Sequence, residues 1–189
     1  MRKKITPKAV IIPTVSLFLI CIFVTAALAF TNNLTADRIA ENEQQSKSES
    51  MKAVCPEAQT FEELIPDVMY EGKDEGGETV GYAISTATQG YGGQVKVMTG
   101  INDGEIIGVD VYYNDDETPG LGKNTSNESF RDQYKGLTTD SEISVSKDSS
   151  SGQTVDAVTS ATISSRAVTK AVNEAVSIYN ENISAKEGE

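Results

Sequence analysis

From Ala9 to Phe30 the chain runs for 22 residues without a charged side chain, AVIIPTVSLFLICIFVTAALAF. No other stretch restricts its fold so strongly. An α-helix needs about 20 apolar residues to cross the hydrocarbon core of a bilayer, where the backbone must satisfy its own hydrogen bonds. The run therefore predicts a membrane-spanning helix over 9–30. Pro13 falls near its start, where a helix tolerates proline best. Arg2, Lys3, Lys4 and Lys8 precede the run, and the first acidic residue is Asp37. The positive-inside rule then puts a tail, 1–8, in the cytoplasm and everything after residue 30 outside it. Ala27-Leu28-Ala29 has the form of a signal-peptide cleavage site. The apolar run is longer than the roughly 7–15 residues of a signal core, which favours an uncleaved anchor. Either reading exports the rest of the chain.

The exported part is acidic. Four of the 16 Lys and Arg precede the span and all 28 Asp and Glu follow it, so residues from 31 onward carry a net charge of −16. That charge argues against nucleic acid and anionic lipid surfaces as partners. Histidine is absent from the whole chain, which removes Ser-His-Asp and Cys-His catalysis and histidine ligation of haem or metals. Cys21 lies in the span and Cys55 outside it, so there is no disulfide framework and no CxxC for an iron–sulfur cluster. Any chemistry must come from carboxylates, hydroxyls or a cofactor.

Residues 31–54 read as a polar helical stalk with Ala36, Ile39 and Ala40 as its few apolar contacts; a flexible linker is the other reading, kept open by Gln44-Gln45-Ser46-Lys47-Ser48. Residues 55–189 are enough for one domain. Alternation at Val80, Tyr82 and Ile84, at Val95, Val97, Thr99 and Ile101, and at Ile107, Val109 and Val111 predicts three strands. Asn102-Asp103-Gly104 joins the last two as a hairpin, and Gly90-Tyr91-Gly92-Gly93 marks another turn. A fourth strand is expected around Ile143 and Val145, and a short helix around Phe130 and Tyr134. Val168, Ala171, Val172, Ala175, Val176 and Tyr179 recur at helical spacing and define one buried face of a C-terminal helix. The fold class is α+β, a twisted antiparallel sheet with helices on one face.

Two segments point to chemistry. Asp156-Ala157-Val158-Thr159-Ser160-Ala161-Thr162-Ile163-Ser164-Ser165 is small and hydroxyl-rich and leads into the C-terminal helix. Hydroxyls and free N–H groups at a helix start make a seat for phosphate; the plainer reading is a helix cap supplied by Thr162, Ser164 or Ser165. Glu117-Thr118-Pro119-Gly120-Leu121-Gly122 reads, alone, as a type II turn with Pro-Gly at its centre.

The single N-terminal span, the ETPGLG turn at 117–122 and the Thr159-Ser160-Ala161-Thr162 segment before the last helix, taken together, resemble the FMN-binding domain family. The resemblance covers nearly the whole chain and is strongest to the G subunits of Rnf complexes, the ion-translocating ferredoxin:NAD⁺ oxidoreductases of bacteria and archaea. In that family the last threonine of an (S/T)GAT segment receives FMN through a phosphoester bond. The resemblance implies FMN covalently attached to Thr162. Thr159, Ser160, Ala161, Ser165 and Asp156 would lie around it, and Glu117, Thr118, Leu121 and Gly122 would lie against the flavin. Ser160 stands where the family usually has glycine. The implied function is electron relay within the complex rather than turnover by the domain alone. The implied partners are the other membrane subunits and a flavin transferase, working with Mg²⁺ outside the cytoplasm, that moves FMN from FAD to the threonine. The implied location is the cell (inner) membrane, with the domain extracytoplasmic. Two alternatives stand beside it. One is another flavinylated carrier, such as the C subunit of Na⁺-translocating NADH:quinone reductase, which is generally longer than this chain. The other is a cofactor-free, membrane-anchored structural domain.

Overall fold

A computed structural model describes residues 7–146 and 152–184. Helix α1 runs unbroken from Pro7 to Val54 and includes Pro13. The chain divides into two units, Met1–Asn42 and Glu43–Glu189. The first unit is the apolar part of α1 and the polar turns after it. Its most apolar window has a mean hydropathy of 2.6 and none of it is buried. A helix with Leu17, Phe18 and Phe23 all exposed leaves apolar surface that costs about 25 cal/mol per Å² in water. A bilayer removes that cost.

The second unit begins with the last turns of α1. Strands β1 (Thr60–Ile65), β2 (Met69–Lys73), β3 (Thr79–Gln89), β4 (Gln94–Asn102) and β5 (Glu105–Tyr113) follow. They form one antiparallel sheet in chain order. The three expected strands are β3, β4 and β5. At the β4–β5 turn, Asp103 (φ 48°) and Gly104 (φ 76°) both adopt left-handed backbone, as a two-residue hairpin turn matching the strand twist requires. Strands β1 and β2 carry no clear alternating signal. β1, TFEELI, is an edge strand with most side chains exposed, so no buried face imposes a period of two.

Helix α3 (Thr162–Tyr179) lies across one face of the sheet. Val168, Val172 and Tyr179 pack there among Ile84, Val97 and Ile101. Small residues bring the helix close. The Thr86 and Thr88 hydroxyls of β3 donate to the Ala171 and Ala167 carbonyls of α3 at 2.9 and 2.7 Å. These buried bonds fix the helix in one register on the sheet.

The other face is covered as well, which corrects the expectation of helices on one side only. Val54, Cys55 and Ala58 pack against Ala83 and Met98. A Cβ at Gly100 would lie 2.5 Å from the Val54 carbonyl oxygen. The glycine is what lets the end of α1 reach the sheet. Burial pushes the Cys55 thiol up to about 12, so it stays protonated and serves as a packing group.

After β5 come a 3-10 turn (Gly122–Ser126), helix α2 (Glu128–Arg131) and a further 3-10 turn (Asp132–Tyr134). Phe130 and Tyr134 are buried there as expected and meet edge to face. The expected strand around Ile143 forms as β6 (Ile143–Val145). It pairs in parallel with β7 (Gln153–Val155) and does not join the main sheet. Amide side chains anchor this region beside its short ladder. Asn173 of α3 accepts from the Ile143 N–H at 3.0 Å and donates to its carbonyl at 2.7 Å. Gln153 does the same for Thr138 at 2.7 and 2.8 Å.

Candidate functional site

Loop 117–122 and the start of α3 come together at one end of the second unit. The loop is the type II turn its sequence predicts. The Leu121 N–H donates to the Thr118 carbonyl at 3.1 Å, and Gly120 has φ 75°. A longer side chain in that left-handed position would be strained. Lys123 N–H also donates to Thr118, at 3.2 Å.

The start of α3 differs from a side-chain cap. The helix begins at Thr162, its N-cap position is Ala161, and no side chain caps it. The Ser165 N–H is the first to close an intrahelical bond, to Ala161 at 2.9 Å. The N–H groups of Thr162, Ile163 and Ser164 precede that bond and point out of the helix end. Neither available hydroxyl satisfies them. Ser165 Oγ turns back to accept from the Val158 N–H at 3.0 Å and donate to the Ala161 carbonyl. Ser164 Oγ donates to Glu117 at 2.6 Å. The expectation of a cap supplied by Thr162, Ser164 or Ser165 therefore fails, because those hydroxyls are used elsewhere or leave the helix end open. An uncapped helix start is an anion seat.

Ser160 precedes this end with φ 62°. A torsion angle in this range favours glycine, the residue that the resemblance implies here. A serine there carries a steric penalty of roughly 1–2 kcal/mol, part of which is offset by glycine's greater freedom in the unfolded chain. Ser160→Gly is expected to stabilise the domain by about 0.5–1 kcal/mol. Thermal unfolding of the two proteins measures it, and an unchanged or lower midpoint contradicts the torsional account.

Glu117 is 2 % exposed and joins three pieces of the site. Its Oε2 accepts from Ser164 of α3, and its Oε1 accepts from the Gly92 N–H of the β3–β4 turn at 3.1 Å. Glycines make room for it. A Cβ at Gly90 or Gly122 would lie 2.1 Å from one of its oxygens.

These parts enclose a cavity of about 510 Å³. Glu117, Thr118, Leu121, Gly122, Ser160, Ala161 and Thr162 line it, together with Tyr91, Ile163 and Ser164. Thr159 and Asp156 line an adjoining hollow of about 520 Å³, which shares Leu121 and Ser160 with the first. Gln133 clamps the Asp156 backbone, accepting from its N–H at 2.7 Å and donating to its carbonyl at 3.3 Å. Ser165 is fully buried and faces neither space. In the sequence Tyr91 is only part of a turn, and Ile163 and Ser164 belong to the hydroxyl-rich segment without being singled out as site residues. Tyr91 lies 71 residues before Thr162, and only the fold brings them together. No Lys or Arg is among the described residues lining the cavity.

The dimensions and donors suit a flavin mononucleotide. The volume lies within the range of roughly 300–1,000 Å³ usual for cofactor sites. The open N–H groups suit a phosphate, and Tyr91, Leu121 and Ile163 offer apolar surface for a ring system.

Comparison with known proteins agrees with this reading. Residues 90–177 match the FMN-binding domain family, and residues 1–54 match the RnfG N-terminal region. The chain is 32% identical to the G subunit of the proton-translocating ferredoxin:NAD(+) oxidoreductase complex of Clostridium ljungdahlii, covering 86% of this chain and 88% of that protein. It is 36% identical to the G subunit of the Na(+)-translocating ferredoxin:NAD(+) oxidoreductase complex of Acetobacterium woodii, with the same coverage. The chain belongs to the family of Rnf-complex G subunits. Its fold recurs in the C subunit of the Na(+)-translocating NADH-quinone reductase of Parabacteroides distasonis, with a TM-score of 0.58 over 75% of this chain and 94% of that one, at 16% identity. In this member of the Rnf G-subunit family, the matched FMN-binding region starts at the turn carrying Tyr91 and contains the whole ETPGLG loop and Thr162.

Proposed function

We propose that this chain is the electron-relaying G subunit of an Rnf-type complex and carries FMN as a phosphoester on Thr162. The observation that supports it most is the convergence, in one cavity, of the ETPGLG loop, the uncapped start of α3 and the Thr162 side chain. When bound, FMN supplies reversible one- or two-electron transfer; the protein supplies attachment, orientation and electrostatics. The free N–H groups of 162–164 receive the phosphate. Thr162 holds it covalently, which suits an acidic domain with no Lys or Arg among the described residues of the cavity wall. Glu117 fixes the distance between the loop, the turn and the helix, and Leu121 and Ile163 exclude water from one side.

Attachment needs a second protein. The Thr162 hydroxyl attacks the FMN phosphorus of FAD; the Oγ–P bond forms, the pyrophosphate bond breaks, AMP leaves and the hydroxyl proton passes to solvent. A flavin transferase with Mg²⁺ catalyses this; the sequence offers no Walker-type loop and no cluster of basic residues near the motif to do so itself. Protein produced with the transferase is expected to be yellow and to keep its flavin through denaturation in a gel. Protein produced without it is expected to be folded and colourless. Spontaneous flavinylation by FAD alone would count against the proposal.

The domain lies outside the cytoplasm. Four basic residues and no acidic one precede the span, and that asymmetry supports this orientation. Protease added to intact spheroplasts is expected to digest the domain. Protection until lysis would reverse the topology.

A further inference from the structure

Four large apolar side chains are exposed among the described residues of the second unit: Leu64, Tyr91, Leu121 and Ile163. Three of the four line the cavity that holds Thr162. Tyr91 is the most exposed, at 69 %. Single exposed apolar residues are ordinary, whereas three around one opening mark something that covers them.

The turn that carries Tyr91 is built to present it. Gly90 N–H donates to the Gly93 carbonyl at 2.8 Å, closing the β3–β4 hairpin. The other three turn residues have no space for a side chain. A Cβ at Gly90 would meet Glu117, and Cβ atoms at Gly92 and Gly93 would lie 1.9 and 2.5 Å from Asp116 atoms. The turn therefore lies flat against residues 116–117 and Glu117 Oε1 ties it down. Tyr91 is the one side chain the tip can project. A large aromatic on a fixed backbone loses little entropy when a ring stacks on it.

We propose that Tyr91 is the stacking platform for the isoalloxazine ring of the flavin on Thr162, with Leu121 and Ile163 closing the apolar contact. This rests on the reading that Thr162 carries FMN. The occupant is a planar heteroaromatic tethered within the same cavity, which is what an aromatic face beside the attachment residue fits. A phenol stacked on a flavin quenches its emission by passing an electron to the excited ring and taking it back. The flavin's fluorescence therefore reports the contact without reference to activity.

The test uses full-length protein produced with its flavin transferase, with flavin load measured by intact mass. Native wild-type protein is expected to emit several-fold less than the same protein unfolded. Tyr91→Leu, at an exposed position, is expected to keep its flavin and to raise native emission several-fold. Tyr91→Trp, which also quenches, is expected to restore the low emission. Flavin-loaded Tyr91→Leu with wild-type emission overturns the platform while leaving FMN attachment intact, and points to a partner protein as the cover of this face. Native wild-type emission equal to that of the unfolded protein overturns it without any variant. Wild-type protein that carries no flavin overturns both readings at once.

Discussion

Thr162→Ala is expected to yield a folded, colourless protein. Thr162 is the first residue of α3 and is only partly buried. The site's internal bonds run through Ser164, Ser165 and Glu117, so removing the Thr162 hydroxyl breaks none of them. Alanine is the best helix former, and stability should change by no more than about 0.5 kcal/mol. Flavin content, by contrast, should fall to zero, because the other hydroxyl of this helix end in the cavity, Ser164, is buried and committed to Glu117. Ser160 shares the cavity, but its Cα precedes the helix in a left-handed conformation. In an assembled complex the variant should abolish ferredoxin-driven NAD⁺ reduction while the remaining subunits still associate. Wild-type rates in a complex lacking this flavin would remove it from the main electron path.

Glu117→Ala is expected to cost about 2–4 kcal/mol and to reduce flavin loading. Two effects add. The buried Ser164 hydroxyl loses its acceptor, at about 1–3 kcal/mol for an unsatisfied group, while the N–H of exposed Gly92 can turn to water. A space also opens between Gly90 and Gly122, which the Glu117 carboxylate fills in the wild type. Glu117→Gln separates the causes. It keeps the shape, its oxygen can still accept from Gly92, and its amide can donate to Ser164 Oγ. It should therefore stay within about 1 kcal/mol of wild type. Urea unfolding and intact mass of the two variants check this. Glu117→Ala as stable and as fully flavinylated as wild type would show that the link between turn, loop and helix is dispensable.

What the sequence makes legible follows from where burial is one-sided. The face of α3 is read correctly because Val168, Val172 and Tyr179 meet a single partner, the sheet. The turns are read correctly because Asp103-Gly104 and Pro119-Gly120 need particular torsions that few residues adopt. Strand β1 escapes because Glu62 and Glu63 sit on an edge where little is buried. The second covered face of the sheet escapes because its signal is Gly100 and Gly108, and a glycine admits close packing without announcing what packs. The site divides in the same way. Its two motif segments are local and can be found by spacing. Tyr91 and the bonds of Glu117 depend on contacts across dozens of residues. Ser160 lies between: its identity is visible in the sequence, and the torsion that makes glycine the better residue is visible only in the fold.

Peptide mapping of the flavinylated wild-type protein by mass spectrometry tests the central claim most directly. Thr154, exposed on β7, and Thr159, exposed in the adjoining hollow, are the nearby competitors. The account predicts a single FMN phosphoester, with fragment ions placing it on Thr162. An FMN adduct on Thr154 or Thr159, or a flavin that leaves the chain on denaturation, contradicts it.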